Sequence, residues 1–426
     1  MNETFSKLGF YPADIMLPKD IDMSKWSVVA CDQFTSQPEY WEDAANIVGD
    51  APSTLKLILP EAGLSKPGVE EDIAKVNRTM NNYVESGLFT TYEESLIYIE
   101  RTQSDGKIRR GIIGKIDLDC YDFTPGSGAL VRATEGTVLS RIPPRVKVRK
   151  AAPIELPHVM LLIDDPDRTV IEPIAEQTAS MEKLYDFELM KNGGHLKGYK
   201  LSEAQIDAVA DALLGLTMPE AMEAKYGMKD AKPLLFAVGD GNHSLATAKQ
   251  CYEDLKKVTP PEKWADLPAR YALVEVVNNH DDALQFEPIH RVVFGCEPEK
   301  LLDALKAEYP GAHEGEGEGH TIIYAYEGHT GCITVPNPKM QLAVGTLQAF
   351  LDKYIKETGC EVDYIHGDEV TDELGSKPGN IGLRLPGMAK EELFKTVMAD
   401  GVLPRKTFSM GHAEDKRYYT EARKIL

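Results

Sequence analysis

Several common functional signatures are missing from this chain of 426 residues. No two of its six cysteines form a C-x-x-C pair, and they are scattered from Cys31 to Cys360. Neither a disulfide framework nor a zinc site is implied, and a reducing cytoplasm is the expected compartment. Positive charge is scarce, with 47 Lys and Arg against 68 Asp and Glu, for a net charge of -21. That balance excludes a general nucleic-acid binder and a binder of anionic membranes, both of which need clustered cations. No apolar run approaches the roughly 20 residues of a spanning helix. The first twenty residues carry no apolar stretch long enough for a secretion signal. There is no G-x-x-x-x-G-K-[ST] loop, no G-x-S-x-G elbow, and Gly239 and Gly241 do not complete a G-x-G-x-x-G fingerprint because position 244 is Ser. The commonest nucleotide-binding and hydrolase readings fall away.

What is present reads as an ordinary globular enzyme, 42% hydrophobic and 27% charged. Periodicity predicts helices over 36–47, capped by Ser36, over 69–87, over 202–216, capped by Ser202, and over 243–257. The alternating stretches 93–101 and 108–116 flank Ser104-Asp105-Gly106 and predict a hairpin. The short apolar runs 158–163, 234–238 and 271–277 predict buried strands. After Pro288 the texture changes to helix, strand, strand, helix, with a polar glycine-rich loop at 314–320 and then strand, helix and tail. A boundary is expected near 292, giving a core domain 1–292 and a C-terminal α/β portion 293–426 that closes the site.

The strongest local signal is the run 234–249, LLFAVGDGNHSLATAK. A buried strand there turns through Gly239-Asp240-Gly241-Asn242-His243 into a helix. Glycines permit a tight turn and close approach of a ligand, and free N–H groups at a helix start bind anions. Asp240 is suited to a metal or a hydroxyl, His243 to proton transfer or a phosphate. The same residues equally suit a tight turn whose polar side chains satisfy backbone groups. A second signal is cationic: Arg132, Arg141, Arg145, Lys147, Arg149 and Lys150 fall within 19 residues, beside Glu135 and Thr137. Such a cluster suits a polyanion, or a basic face paired with acidic neighbours. Asp32 precedes a helix. The segment 277–291 carries His280, Asp281, Asp282, His290 and Arg291 without zinc spacing. Lys406 lies in the cationic loop 403–408.

Taken in order, these residues resemble the bacterial DUF1015 family. The family's early PPYDV element resembles Ala30-Cys31-Asp32-Gln33-Phe34. Its HExT…DR stretch resembles Thr134-Glu135-Gly136-Thr137 followed by Arg145. Its ADGHHRYETA hallmark resembles the run from Gly239 to Ala248. The VNLHD…HR element resembles 277–291, and the closing MPxKSTYF resembles 403–408. Two hallmark positions depart, with Asn242 for His and Ser244 for Arg; the second removes a bidentate phosphate clamp.

The Asp-Gly-His-His-Arg motif is similar to that of free-serine kinases. The resemblance implies an α+β fold, a mixed sheet with flanking helices around a ParB/sulfiredoxin-like core. It implies phosphoryl transfer to a hydroxyl, with L-serine as one acceptor and pyrophosphate, ADP or ATP as donor, and with Mg2+ bridging donor phosphates. Asp32 is then the base, Glu135 an orienting or metal-side carboxylate, Asp240 the metal residue and His243 a phosphate stabiliser. Gly241, Asn242, Ser244, Thr137, Arg141, Arg145 and Lys406 would bind the donor, and His280, His290 and Arg291 the substrate. Two other readings use the same anion site: a non-catalytic nucleotide- or phosphate-sensing module, and a phosphohydrolase. A small molecule is the expected partner, not nucleic acid or a membrane, and the sequence does not indicate an oligomeric state.

Overall fold

The computed structural model describes residues 3–35, 37–64, 66–228 and 232–426. It divides into two compact units, one comprising Met1–Leu284 with His412–Leu426, the other Gln285–Gly411. The boundary expected at 292 falls inside the strand Phe286–Phe294. The tail belongs to the first unit, so the second is an insertion in sequence. A run of local patterns cannot reveal such a return, because the pairing that decides it is long-range.

The first unit is built on a mixed sheet of ten strands. The hairpin Ile97–Thr102 and Ile108–Asp117 forms as its turn residues dictate, antiparallel with Ile97 opposite Ile113. Ile108–Asp117 pairs antiparallel with Tyr271–Asn278, which runs parallel to Met160–Ile163. Met160–Ile163 pairs antiparallel with Phe236–Asp240, and that strand runs parallel to Val131–Ala133. Side-chain alternation along these strands feeds both faces. Val274 and Val276 join Leu161, Ile163, Phe236 and Val238 in one core, while Leu273 joins Ile97, Ile99 and Ile113 in another. A sheet covered on both faces explains why its central strands read as continuous apolar runs.

The helix Glu203–Leu216 begins where the sequence placed it. Ser202 Oγ accepts from the Gln205 amide and Gln205 Oε1 from the Ser202 amide, a reciprocal cap. Its Val209, Ala210 and Leu213 pack in the same core as Leu245, Ala248 and Tyr252 of the helix Asn242–Lys256. The helix Val69–Glu85 also forms where the spacing predicts it. The helix expected at 36–47 spans Pro38–Val48, and its proposed cap Ser36 lies outside the described residues. Several strands carry too many polar residues to be legible, among them Phe89–Ser95 and Glu182–Glu188.

The second unit is an antiparallel sheet of seven strands with helices Pro298–Glu308, Ala343–Thr358, Asp368–Gly375 and Lys390–Asp400. Gly315 and Glu316 to Glu318 in its glycine-rich stretch are exposed, as a solvated loop requires. Among the described residues, no helix is long and apolar enough to cross a membrane.

Candidate active site

Gly241 makes the turn that the hallmark needs. Its φ is +81°, and a Cβ there would come within 3.0 Å of Val159 Cα. Only glycine adopts this conformation without strain while lying so close to another backbone. The first intrahelical bond runs from the Leu245 amide to Gly241 O at 2.9 Å. The amides of Asn242, His243 and Ser244 therefore precede the helical ladder, at the positive end of a 15-residue helix.

Three other chain segments converge on this turn. Thr134 follows the strand Val131–Ala133, and its hydroxyl donates to Val238 O at 2.6 Å. Asn242 Oδ1 accepts the Thr134 amide at 3.3 Å, and its amide nitrogen lies 3.4 Å from Thr134 Oγ1 and Val238 O. Its side chain, expected to bind a donor, is thus spent on locking two loops together. Glu135, half-buried, comes next, and the Thr137 hydroxyl oxygen is enclosed without a protein partner among the described residues.

The basic cluster disperses. Arg132 donates to the carbonyls of Ala129, Lys232 and Pro233. Lys147 pairs with Glu70 at 2.7 Å and Arg149 with Glu155 at 2.5 Å. Arg141 and Arg145 act on His243. Burial, Arg145 and Arg141, in that order, hold its imidazole below the ordinary value, against Glu61 and Asp32. His243 Nε2 accepts the Val138 amide at 3.3 Å, so the ring is neutral in this geometry. Arg145 pairs with Glu61 at 2.7 Å, and the Glu61 amide donates to Cys31 O at 2.8 Å. One carboxylate thereby joins the Arg145 helix to the Asp32 loop.

Asp32 is placed by strand pairing between distant chain segments. Tyr418–Tyr419 pairs antiparallel with Val28–Val29, and the Ala30 amide donates to Arg417 O at 2.9 Å. This lays Lys416 alongside the Asp32 loop. Lys416 Nζ is 3.6 Å from Asp240 Oδ2. Burial alone would raise the Asp32 carboxyl. His158, the Gln33 amide donating at 3.0 Å, and Lys416 outweigh burial and hold the group below the usual carboxylate value. Tyr419 supports both partners, since its hydroxyl accepts the Cys31 amide at 3.1 Å and lies 2.9 Å from His158 Nδ1. His158, Glu61, Lys416 and Tyr419 escaped the sequence reading. The last two sit in a tail without periodicity, although Lys416-Arg417-Tyr418-Tyr419 is an unusual run to end an acidic chain.

Of the proposed substrate residues, only His280 belongs to the first unit among the described residues. His280 Nε2 lies 2.6 Å from Asp164 Oδ1, just beyond Ile163, at the end of its strand opposite Met160, which is paired with Asp240. His290, Arg291 and Lys406 belong to the second unit. His290 Nε2 lies 2.8 Å from Asp368 Oδ1. Arg291 is buried and donates to the carbonyls of Ile289, Arg405 and Lys406 and to Gln348 Oε1, which gives it a structural task within that unit.

Among the described residues, no group of three or more His, Cys, Asp or Glu could cage a metal. Asp240 Oδ1 already accepts the Gly241 amide at 2.9 Å, leaving Oδ2 beside Lys416. One available carboxylate oxygen fits a Mg2+ ion carried in by phosphates, since such ions keep waters and use one or two protein carboxylates. It does not fit a resident metal held by protein alone.

Solved structures similar to this chain share little sequence with it. A mutant of a free serine kinase in complex with ADP is 12% identical, at a TM-score of 0.39, covering 75% of this chain and 93% of its own. A conserved hypothetical protein from Pyrococcus furiosus is 12% identical, at a TM-score of 0.34, covering 70% and 89%. SbnI from Staphylococcus aureus, truncated at its C-terminus, is 10% identical, at a TM-score of 0.35, covering 70% and 82%. No curated protein matches the chain. The family model described as protein of unknown function DUF1015 matches residues 15–354, and the chain belongs to that family.

Proposed function

We propose that the first unit, on a ParB/sulfiredoxin-like core, transfers a phosphoryl group from pyrophosphate or a nucleotide to the hydroxyl of a small molecule such as L-serine. One observation carries the reading. Asp32, Asp240, His243, Arg145 and Lys416, drawn from four distant stretches, meet around a helix N-terminus turned by Gly241. Phosphoryl transfer needs little covalent help from a protein; positioning and charge stabilisation do most of the work. The amides of Asn242, His243 and Ser244 offer an anion cradle. Ionised Asp32 takes the acceptor's hydroxyl proton as the new O–P bond forms and the donor's P–O bond breaks, the leaving phosphate departing with the bond pair. Mg2+ brought with the donor would be held by Asp240 and would neutralise charge on the phosphates. Arg141 and Arg145 balance charge beside His243, and Glu135 orients the acceptor or the ion.

The test is product analysis by phosphorus NMR. The full chain is incubated with Mg2+ and pyrophosphate, ADP or ATP, with and without L-serine and other small hydroxyl compounds. A phosphorylated acceptor formed as donor is lost supports the reading. Donor hydrolysis that ignores the acceptor would make the protein a phosphohydrolase. Binding without turnover would make it a sensor, the outcome that Ser244 at the clamp position favours.

Donor binding should also be linked to protons. His243 is held below the ordinary imidazole value of about 6.5, so the free protein carries it neutral at pH 7. A bound polyanion favours the imidazolium and raises that value. Binding should therefore take up protons, increasingly so from pH 7 towards 6. Calorimetry in buffers of different ionisation enthalpy measures the uptake, and His243→Gln should remove it. Equal uptake in that variant would exclude His243 from the phosphate site.

A further inference from the structure

The geometry points to Lys416 as the cation that contacts the donor's phosphate, an inference resting on the phosphoryl-transfer reading. Lys416 reaches the turn from the terminal segment, which rejoins the first unit at His412. Its backbone is clamped to an unusual degree. Arg101 donates to Glu414 O at 2.7 Å and to Lys416 O at 3.2 Å, and Arg109 donates to Asp415 O at 2.8 Å. Arg101 is 1% exposed and Arg109 3%. Two buried guanidinium groups thus bind three consecutive carbonyls, ending at Lys416, whose side chain faces Asp240. Burying two cations is expensive, and what it secures is the position of a third. The Ser104 amide adds a bond to Asp415 Oδ1 at 3.1 Å.

The Lys416 ammonium meets Asp240 at 3.6 Å, longer than a tight charge-assisted contact, and lies close enough to Asp32 to stabilise its carboxylate. It is half-buried and shared between two acidic groups. Arg145 and Arg149, by contrast, are committed to carboxylates at 2.7 Å and 2.5 Å. Lys416 is a cation at the turn that no close carboxylate contact holds, so a phosphate can recruit it, and it compensates for Ser244, where the family hallmark carries arginine.

The experiment is calorimetric binding of inorganic pyrophosphate, and of ADP, to the full chain in EDTA. Lys416→Met should weaken pyrophosphate binding about 10- to 100-fold, the scale of one charge-assisted contact. Lys416→Arg should retain most of it. Asp240→Asn, which frees the ammonium from its partner, should tighten binding without metal, and the double variant should lose that gain. A lysine that only supports the fold would shift the melting temperature and leave the cycle flat. If wild type binds and Lys416→Met binds equally, the assignment of Lys416 falls while the phosphoryl-transfer reading stands. If wild type binds neither compound, with or without Mg2+, both fall.

Discussion

Replacing Asp32 by Asn should lower turnover about 100-fold or more, the usual scale of general base catalysis, while leaving donor affinity nearly unchanged. Asn has the same size and accepts the Gln33 amide as readily, so the loop should hold. What disappears is the negative charge that His158 and Lys416 stabilise. A carboxylate held below its ordinary value is a weak base, which suits a loose transition state in which the acceptor proton leaves late. Glu135→Gln is the control. If Asp32 is the base, Glu135→Gln changes turnover less. If Glu135→Gln shows the larger loss with donor affinity intact, the two carboxylates exchange roles. Single-turnover measurements with saturating donor separate the step from binding.

Local elements were legible where a short pattern determined them. Glu203–Leu216 combines an apolar stripe with a serine cap, and Phe236–Asp240 is an apolar run ended by a glycine turn. The strands Glu182–Glu188 and His195–Lys200 were not, because they pair with each other at one side of the sheet and carry polar residues at most positions. The site follows the same division. Gly241 and His243 announce themselves within five residues. Lys416 and Asp32 are 384 positions apart in the numbering, and the pairing of Tyr418–Tyr419 with Val28–Val29, extended by the Ala30 amide on Arg417 O, brings them together. The cationic cluster misled for a related reason: density in sequence says nothing about which carboxylates lie across the fold. Arg149 meets Glu155 and Lys147 meets Glu70, leaving Arg141 and Arg145 beside His243.

Glu275 should prove the costliest side chain to remove. It sits in the apolar strand Tyr271–Asn278 with no exposed surface. Its two oxygens meet Arg109 at 3.3 Å and Arg417 at 2.6 Å. Arg417 also pairs with Glu421 at 2.5 Å and donates to Pro157 O at 3.0 Å. Gly111, paired with Val277 on the neighbouring strand, leaves room for it, because a Cβ there would lie 2.9 Å from Glu275 Cγ. Glu275→Ala leaves buried guanidinium charge without its counter-ion and a void beside it. A loss of about 3–5 kcal/mol is expected, the scale for breaking a buried pair by removing one partner. Glu275→Gln, which fills the space, isolates the charge. Burial raises the Glu275 carboxyl, but Arg109 and Arg417 outweigh it and hold it below its ordinary value. A depressed carboxyl contributes stability above its unfolded value, near 4.3, that is lost as pH falls through the folded one. The gap between wild type and Glu275→Gln should therefore be full at pH 7 and shrink steadily below about pH 4. Denaturant unfolding of the full chain across that range, following the transition of the first unit, measures it. A gap that stays constant down to pH 2 would mean that shape, not charge, makes Glu275 necessary. Because Arg109 holds the Asp415 carbonyl before Lys416 and Arg417 follows it, the same variant should loosen the site lysine, and its donor affinity should fall even where the protein remains folded.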